Sequence, residues 1–157
     1  FKCENTLVGR KMKKACFCGK VNIDFPDKPL LHFMCHCTDC DLMWNGAYMG
    51  FVYPTDEVTV GGEKSIFQFN GGSGLGFEID LCSTCGTKVA SRPQVVDGLT
   101  YIPAGFLKNE IDFSPQVEIF AYNKYKCFGN PETLVESFDD NGTVERISAV
   151  IEAMNQS

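Results

Sequence analysis

The sequence lacks long hydrophobic runs, and this lack argues against a membrane-spanning segment. Its aliphatic and aromatic residues occur only a few at a time, whereas a membrane helix needs about 20 consecutive apolar residues. Basic residues are also few, because 14 Lys and Arg stand against 20 Asp and Glu, for a formal net charge of −6. Such a chain lacks the positive field that attracts phosphate backbones, so its charge disfavours nucleic-acid binding.

Low-complexity sequence and internal repeats are absent as well. The 157 residues, of which 44% are hydrophobic, are enough for one folded domain with its own core and too few for two. The basic residues 10–14 are not followed by the apolar stretch of a secretory signal. We therefore predict a cytoplasmic protein, in a compartment where clustered cysteines bind metals or react rather than form disulfides.

Histidine is scarce and cysteine is abundant, with two and nine residues. Seven cysteines form three tight clusters: Cys16 with Cys18, Cys35 with Cys37 and Cys40, and Cys82 with Cys85. Cysteines one or two residues apart form mutual disulfides only with strain. A turn readily brings such sulfurs to one zinc ion, and the glycines after Cys18 and Cys85 suit that turn. The spacing therefore predicts zinc binding.

Seven sulfurs divide most simply into four and three. Two pairs, Cys16 with Cys18 and Cys82 with Cys85, can close one structural site from distant parts of the chain. Cys35, Cys37 and Cys40 are then left with an open coordination position, as in catalytic zinc sites. Spacing alone leaves other pairings open.

The remaining cysteines and both histidines have simpler interpretations. On an extended segment His36 would point away from its two cysteine neighbours, so we favour packing or a supporting hydrogen bond over metal ligation. His32 lies in an apolar run and is interpreted as a core or edge residue. Cys3 and Cys127 have no cysteine near them in sequence and are interpreted as bystander thiols.

The secondary structure is predicted to be mainly β. Short alternating or apolar segments separated by Gly, Pro and Asn turns predict strands at 20–25, 30–35, 46–53, 58–60, 65–69, 76–81, 89–91, 99–106 and 117–122. One helix is predicted near the C-terminus, where apolar residues recur at helical spacing: Val144, Ile147, Val150, Ile151 and Met154.

Three cysteine motifs follow one another in a specific order. They read CFCGKV at 16–21, CHCTDC at 35–40 and CSTCGT at 82–87, and Gly46-Ala47 and Phe77 lie between them. The segments YIPAGFL, FSP and EIF follow, at 101–107, 113–115 and 118–120. Over residues 14–128 this pattern resembles the glutathione-dependent formaldehyde-activating enzyme family, which also includes centromere protein V.

The resemblance implies a fold, two metals and a substrate. The fold is a zinc-stabilised β-tent of small antiparallel sheets, here with a short C-terminal helix. The resemblance implies a structural zinc on Cys16, Cys18, Cys82 and Cys85, and a catalytic zinc on Cys35, Cys37 and Cys40. It divides the chain into an extension at 1–13, the zinc-binding domain at 14–128 and a C-terminal extension at 129–157. The implied partner is glutathione or a glutathione conjugate.

We therefore predict a zinc-dependent carbon–sulfur lyase, whose open zinc holds the substrate sulfur as a thiolate. The formaldehyde adduct is one candidate substrate. Asp39 and Asp41 flank Cys40 and are candidates for a general base. The alternatives are a non-catalytic zinc module that binds protein or nucleic acid, and a thiol redox protein that uses Cys82 and Cys85. A homo-oligomer is left open, and because glutathione is anionic we expect Lys or Arg near the open zinc.

Overall fold

The computed structural model describes residues 10–156. Within them the chain is mainly β, as predicted, and Cys3 lies outside them. The strands are β1 (Lys11–Ala15), β2 (Val21–Pro26), β3 (Leu31–Cys35), β4 (Tyr48–Pro54), β5 (Thr59–Gly62), β6 (Lys64–Asn70), β7 (Gly76–Cys82), β8 (Lys88–Pro93), β9 (Leu99–Pro103), β10 (Val117–Ile119) and β11 (Glu136–Ser137). The helices are α1 (Thr38–Trp44) and α2 (Val144–Asn155).

The strands form two sheets. The small sheet has the order β1-β2-β5 and is antiparallel. The large sheet has the order β11-β10-β3-β4-β9-β8-β7-β6. Its strands are antiparallel except around β10, which is parallel to both β3 and β11. Long-range pairing therefore brings the end of β3, where Cys35 lies, beside Ile119.

One face of the large sheet packs against the small sheet. Along β2 the residues Val21, Ile23 and Phe25 are fully buried, as their alternation with polar residues predicts. Ile23 and Phe25 pack against Phe51 and Tyr53 of β4 in the large sheet, whereas Val21 packs beside the first cysteine cluster. Complete burial of a side chain such as Phe25 stabilises the fold by about 1.5–3 kcal/mol.

The other face of the large sheet carries α2. Its N-terminus is capped by the Thr143 hydroxyl, which accepts a hydrogen bond from the backbone of Arg146. Val150 is buried against Phe33 and Val117 of the sheet, so the predicted helix is confirmed as a packing element. Residues of β4, β8 and β9, among them Tyr48, Ser91 and Tyr101, line the apolar pocket described below.

Two parts of the structure were not predicted. The predicted N-terminal extension includes the first three residues of β1, which pair with β2 from Lys11 onward. Helix α1 begins inside the three-cysteine motif and contains Cys40. The division of the chain at residues 13 and 128 stays a prediction. No helix among residues 10–156 is both long enough and apolar enough to span a membrane.

Candidate metal centres and the adjoining pocket

The first cysteine cluster joins two distant turns. The four sulfurs of Cys16, Cys18, Cys82 and Cys85 lie within 4.8 Å of one another. Sγ of Cys18 is 3.7 Å from Sγ of Cys16 and 3.6 Å from Sγ of Cys82. Four sulfurs about 2.3 Å from a tetrahedral zinc would be about 3.8 Å apart. The four-cysteine cluster therefore fits zinc.

Backbone turns shape this four-cysteine cluster. Gly19 and Gly86 have φ of +84° and +74°, so the glycines after the cysteine pairs adopt the left-handed conformation that the sequence suggested. The backbone N–H of Cys85 points to Sγ of Cys82 at 3.5 Å. Hydrogen bonds from the side chain and backbone of Thr87 lower the pKa of Cys85 to about 5. The turn at 85–87 thus stabilises the thiolate form of Cys85, the form that binds a metal.

The second cysteine cluster is compact and local. Cys35 ends β3, Cys37 is the N-cap of α1, and Cys40 lies in its first turn. Their sulfurs lie within 4.8 Å of one another. The backbone N–H of Cys40 donates to Sγ of Cys37 over 3.3 Å. Hydrogen bonds from the neighbouring thiols of Cys35 and Cys40 lower the pKa of Cys37 to about 3. The three-cysteine cluster fits a metal with three protein ligands.

Helix α1 explains how these three sulfurs converge. The Cys37 side chain caps the helix, and Asn45 ends it in the left-handed conformation with φ 58°. Of the two carboxylates predicted as candidate bases, Asp39 lies in the wall of the pocket described below. Asp41 instead lies 3.3 Å from Nδ2 of Asn123 and does not line that pocket. The role of either residue as a base stays a prediction.

Both histidines point away from the cysteine clusters. Nε2 of His36 lies 2.9 Å from Glu118, and both side chains are buried. His32 accepts a hydrogen bond from the backbone of Ser114 over 3.0 Å and lies at the edge of the core. Neither histidine belongs to a ligand group within residues 10–156. Cys127 is exposed and likewise belongs to no such group.

A cavity of about 460 Å³ opens beside the three-cysteine cluster. Its wall is mainly apolar and aromatic, with residues from the large sheet, the 71–76 turn and the start of α2. The aromatic lining residues are Phe33, Trp44, Tyr48, Phe69, Phe77, Tyr101, Phe120 and Tyr122. The strand pairings thus place the three thiols at the edge of a large apolar pocket.

The wall of this pocket carries no basic side chain, because none of its lining residues within the described chain is Lys, Arg or His. The expected gathering of Lys or Arg near the open zinc stays a prediction. Lys14 and Lys88 line a second, more open cavity that shares Trp44 with the first. The ammonium of Lys88 lies 5.1 Å from the centroid of the Trp44 ring and donates to the backbone oxygen of Met43.

Two residues that line the apolar pocket, Tyr48 and Ser91, carry buried hydroxyls. Burial raises the pKa of Tyr48 well above its ordinary value and the nearby Tyr101 and Cys40 raise it further, while a hydrogen bond with Ser91 lowers it. The phenol therefore keeps its proton. A Cβ at Gly50 would collide with this hydroxyl, which explains the glycine two residues along β4.

Sequence reasoning missed most of this pocket. Tyr48, Ser91 and Tyr101 come from three strands whose pairing the sequence does not reveal. In the sequence these residues alternate with residues on the opposite face of each strand. This alternation indicates that one face is buried, but it does not indicate a pocket. The spacing of the cysteines did predict their grouping into one set of four and one set of three.

Comparisons with known proteins identify the family of this chain and a similar fold. A search of curated proteins found no match. A solved structure, described as that of a Rhodobacter sphaeroides protein, has a similar fold: its TM-score is 0.53 at 16% sequence identity, over 81% of this chain and 99% of that one. The family model for the glutathione-dependent formaldehyde-activating enzyme matches residues 11–123, which include both cysteine clusters. The chain therefore belongs to the glutathione-dependent formaldehyde-activating enzyme family.

Proposed function

We propose that this protein is a cytoplasmic carbon–sulfur lyase that makes or breaks the bond between a thiol, such as glutathione, and an electrophilic carbon. The observation that carries the proposal is the convergence of three thiols, Cys35, Cys37 and Cys40, at the edge of an apolar pocket. Membership of a family named for the activation of formaldehyde with glutathione supports the same chemistry.

The two cysteine clusters have different parts in this proposal. The four-cysteine cluster would hold a structural zinc with no free ligand position. The three-cysteine cluster would hold a zinc that supplies an open position for a fourth sulfur and favours its thiolate form at neutral pH. Three thiolate ligands donate much electron density, which favours sulfur chemistry over the activation of water.

The proposed reaction needs no oxidant or reductant. An adduct RS–CH(OH)R′ gives the thiol RSH and the aldehyde R′CHO. The carbon–sulfur bond breaks and its electron pair goes to sulfur, while the hydroxyl proton leaves oxygen and is transferred to sulfur. The carbon–oxygen single bond becomes a carbonyl. The reverse reaction forms the adduct from the same two molecules.

The pocket offers hydroxyl groups for the reacting oxygen. Tyr48 can donate a hydrogen bond to the carbonyl oxygen as it forms, and Ser91 can accept one from the adduct hydroxyl. Both groups are buried next to each other, with Ser91 lowering the pKa of the Tyr48 phenol, and a ligand oxygen that reached them would join this pair. The surrounding wall is mainly apolar and aromatic, and such surroundings strengthen hydrogen bonds.

Native mass spectrometry of the full chain tests this proposal. We expect two zinc ions per chain and binding of glutathione that depends on the second zinc. The Cys35→Ser variant should lose one zinc and lose glutathione binding. The control is Cys127→Ser, which changes an exposed thiol outside both clusters. Two zincs retained in Cys35→Ser, or unchanged glutathione binding, would contradict the proposal.

A turnover assay then separates an enzyme from a binding module. The purified protein is mixed with glutathione and a panel of aldehydes, and adduct formation is followed against the uncatalysed rate. We expect acceleration by the wild type and by Cys127→Ser, and none by Cys35→Ser. Binding without acceleration of any member of the panel would favour the non-catalytic module.

A further inference from the structure

We propose that the pocket beside the three-cysteine cluster receives the electrophile-derived half of a thiol conjugate, and that this half is a large, uncharged, apolar group. This inference rests on the proposed function and names its substrate class. The preferred conjugate would carry an alkyl or aromatic group of several carbons, rather than the single carbon of formaldehyde.

The size and lining of the cavity favour a large apolar group. About 460 Å³ lies within the range of pockets that hold drug-sized ligands. The hydroxymethyl group of a formaldehyde adduct has one carbon and one oxygen and would leave most of this space empty. Phe33, Phe77 and Tyr101 offer apolar faces to a much larger group.

The described pocket wall has no positive charge, which disfavours an anionic ligand group inside it. Among the described lining residues the ionisable groups are the three cysteines, Asp39 and tyrosines, and none is cationic. A glutathione carboxylate placed there would lose its hydration without gaining an opposite charge. The apolar half is therefore the part that enters, and the charged peptide half stays outside. Lys14 and Lys88 line the second cavity, which shares Trp44 with the pocket; Lys14 pairs with Glu110 and Lys88 donates to the backbone oxygen of Met43.

Part of the pocket wall comes from residues outside the family match, so the preference for an apolar group belongs to this chain in particular. Asn141, Thr143, Val144 and Ile147 line the pocket, and all four lie beyond residues 11–123 of the family match. They come from the turn before α2 and from its first turns. The helix is held in place by burial of Val150 against the sheet. We infer that α2 is a specificity-determining wall added to the family core.

The test measures binding by zinc-loaded, full-length protein in isothermal titration calorimetry. The probes are S-methyl-, S-butyl- and S-hexylglutathione, which keep the peptide constant and vary only the apolar group. A fully buried methylene is worth about 0.8 kcal/mol, or roughly fourfold in affinity. Allowing for the ordering of a flexible chain, we expect S-hexylglutathione to bind at least about tenfold more tightly than S-methylglutathione.

A pair of matched variants locates the binding. Val144→Trp places a bulky ring at the α2 wall of the pocket. Val135→Trp makes the same change at an exposed valine that does not line it. We expect Val144→Trp to remove the preference for the hexyl group, and Val135→Trp to keep it. Thermal unfolding of both variants checks that the fold is intact.

The outcomes separate the two levels of the proposal. Equal affinity for the methyl and hexyl probes would overturn the apolar substrate class, even if glutathione binding still depends on Cys35. A hexyl preference that Val144→Trp leaves unchanged would overturn the placement at α2. Glutathione binding that ignores Cys35→Ser would overturn the proposed function itself. A chain-length preference that is lost only in Val144→Trp would support the inference.

Discussion

Nε2 of His36 lies 2.9 Å from Oε2 of Glu118, and each side chain is only 1% exposed. The other carboxylate oxygen of Glu118 accepts hydrogen bonds from Lys124 over 2.9 Å and from Ser137 over 2.7 Å. Because His36 stands between Cys35 and Cys37, this buried network fixes the backbone that carries two of the three thiols. The network therefore helps to hold the three cysteines of this cluster in position.

Glu118→Ala should destabilise the protein strongly. The substitution leaves His36 and Lys124 without their carboxylate, and loss of one partner of a buried ion pair costs about 3–5 kcal/mol. Urea unfolding measures the change. The control, Glu63→Ala, removes an ion pair between exposed side chains and should change the free energy of unfolding by less than about 1 kcal/mol. Similar effects of the two substitutions would contradict the structural role of Glu118.

Glu118 should also make stability depend on pH in the acid range. Burial raises the pKa of Glu118, but hydrogen bonds from Ser137, Lys124 and His36 outweigh it, so the pKa lies below its usual 4.5. A carboxylate with a lowered pKa contributes stability above pH 4.5, and this contribution is lost as the pH falls through the lower folded value.

The comparison is between the wild type and Glu118→Gln, which cannot titrate. The difference between their urea midpoints should be largest near neutral pH and should shrink below pH 4.5. Loss of metal in acid affects both proteins and cancels in the difference. A difference that stays constant across this range would show that the carboxylate charge is not involved.

Removal of a ligand from either cluster should have unequal effects on folding. The four-cysteine cluster ties the turn after β1 to the turn after β7, whereas the three-cysteine cluster spans only residues 35–40. We expect Cys85→Ser to cost more than about 4 kcal/mol of unfolding free energy, because metal loss is among the most destabilising changes known. Cys40→Ser should cost less, and Cys127→Ser almost nothing. The reverse order for the two clusters would contradict their assigned roles.

Tyr48→Phe should slow turnover without weakening the fold. Loss of one hydrogen bond to the reacting oxygen is worth about 1 kcal/mol, so the rate should fall roughly fivefold to tenfold. Stability and zinc content should change little, because the Tyr48 hydroxyl has only the Ser91 hydroxyl as a neighbouring partner among the described residues. Tyr53→Phe is the matched control, since its hydroxyl is also buried but its side chain packs against the small sheet. Equal rates for both variants would exclude Tyr48 from the reaction.

The sequence predicted those features that depend on local spacing. Alternation in β2 and the helical stripe of α2 predicted both elements within two residues of their ends. The cysteine motifs predicted the grouping of the sulfurs, because short turns force neighbouring cysteines to share a site. Helix α1 was missed because it has only seven residues and starts from a cap made by the Cys37 thiol, which no apolar period signals.

Features that depend on distant pairing were beyond the sequence. Glu118 is charged and gave no sign of burial, yet the parallel pairing of β10 with β3 places it beside Met34 and within reach of His36. The lack of cations in the described pocket wall has the same origin, since the wall is assembled from strands and a helix far apart in sequence. The local sequence cannot predict which distant residues come together to line the pocket.

The insertion of β10 beside β3 has a consequence for biosynthesis. In the register Phe33 pairs with Val117, 84 residues later, whereas the other edge of β3 pairs with the nearby β4. Ribosomes add about 5–20 residues per second, so one edge of β3 stays unpaired for roughly 4–17 seconds during translation. An unpaired strand edge can form hydrogen bonds with strands of other chains. Nascent chains of this protein therefore pass through a window in which aggregation competes with completion of the sheet.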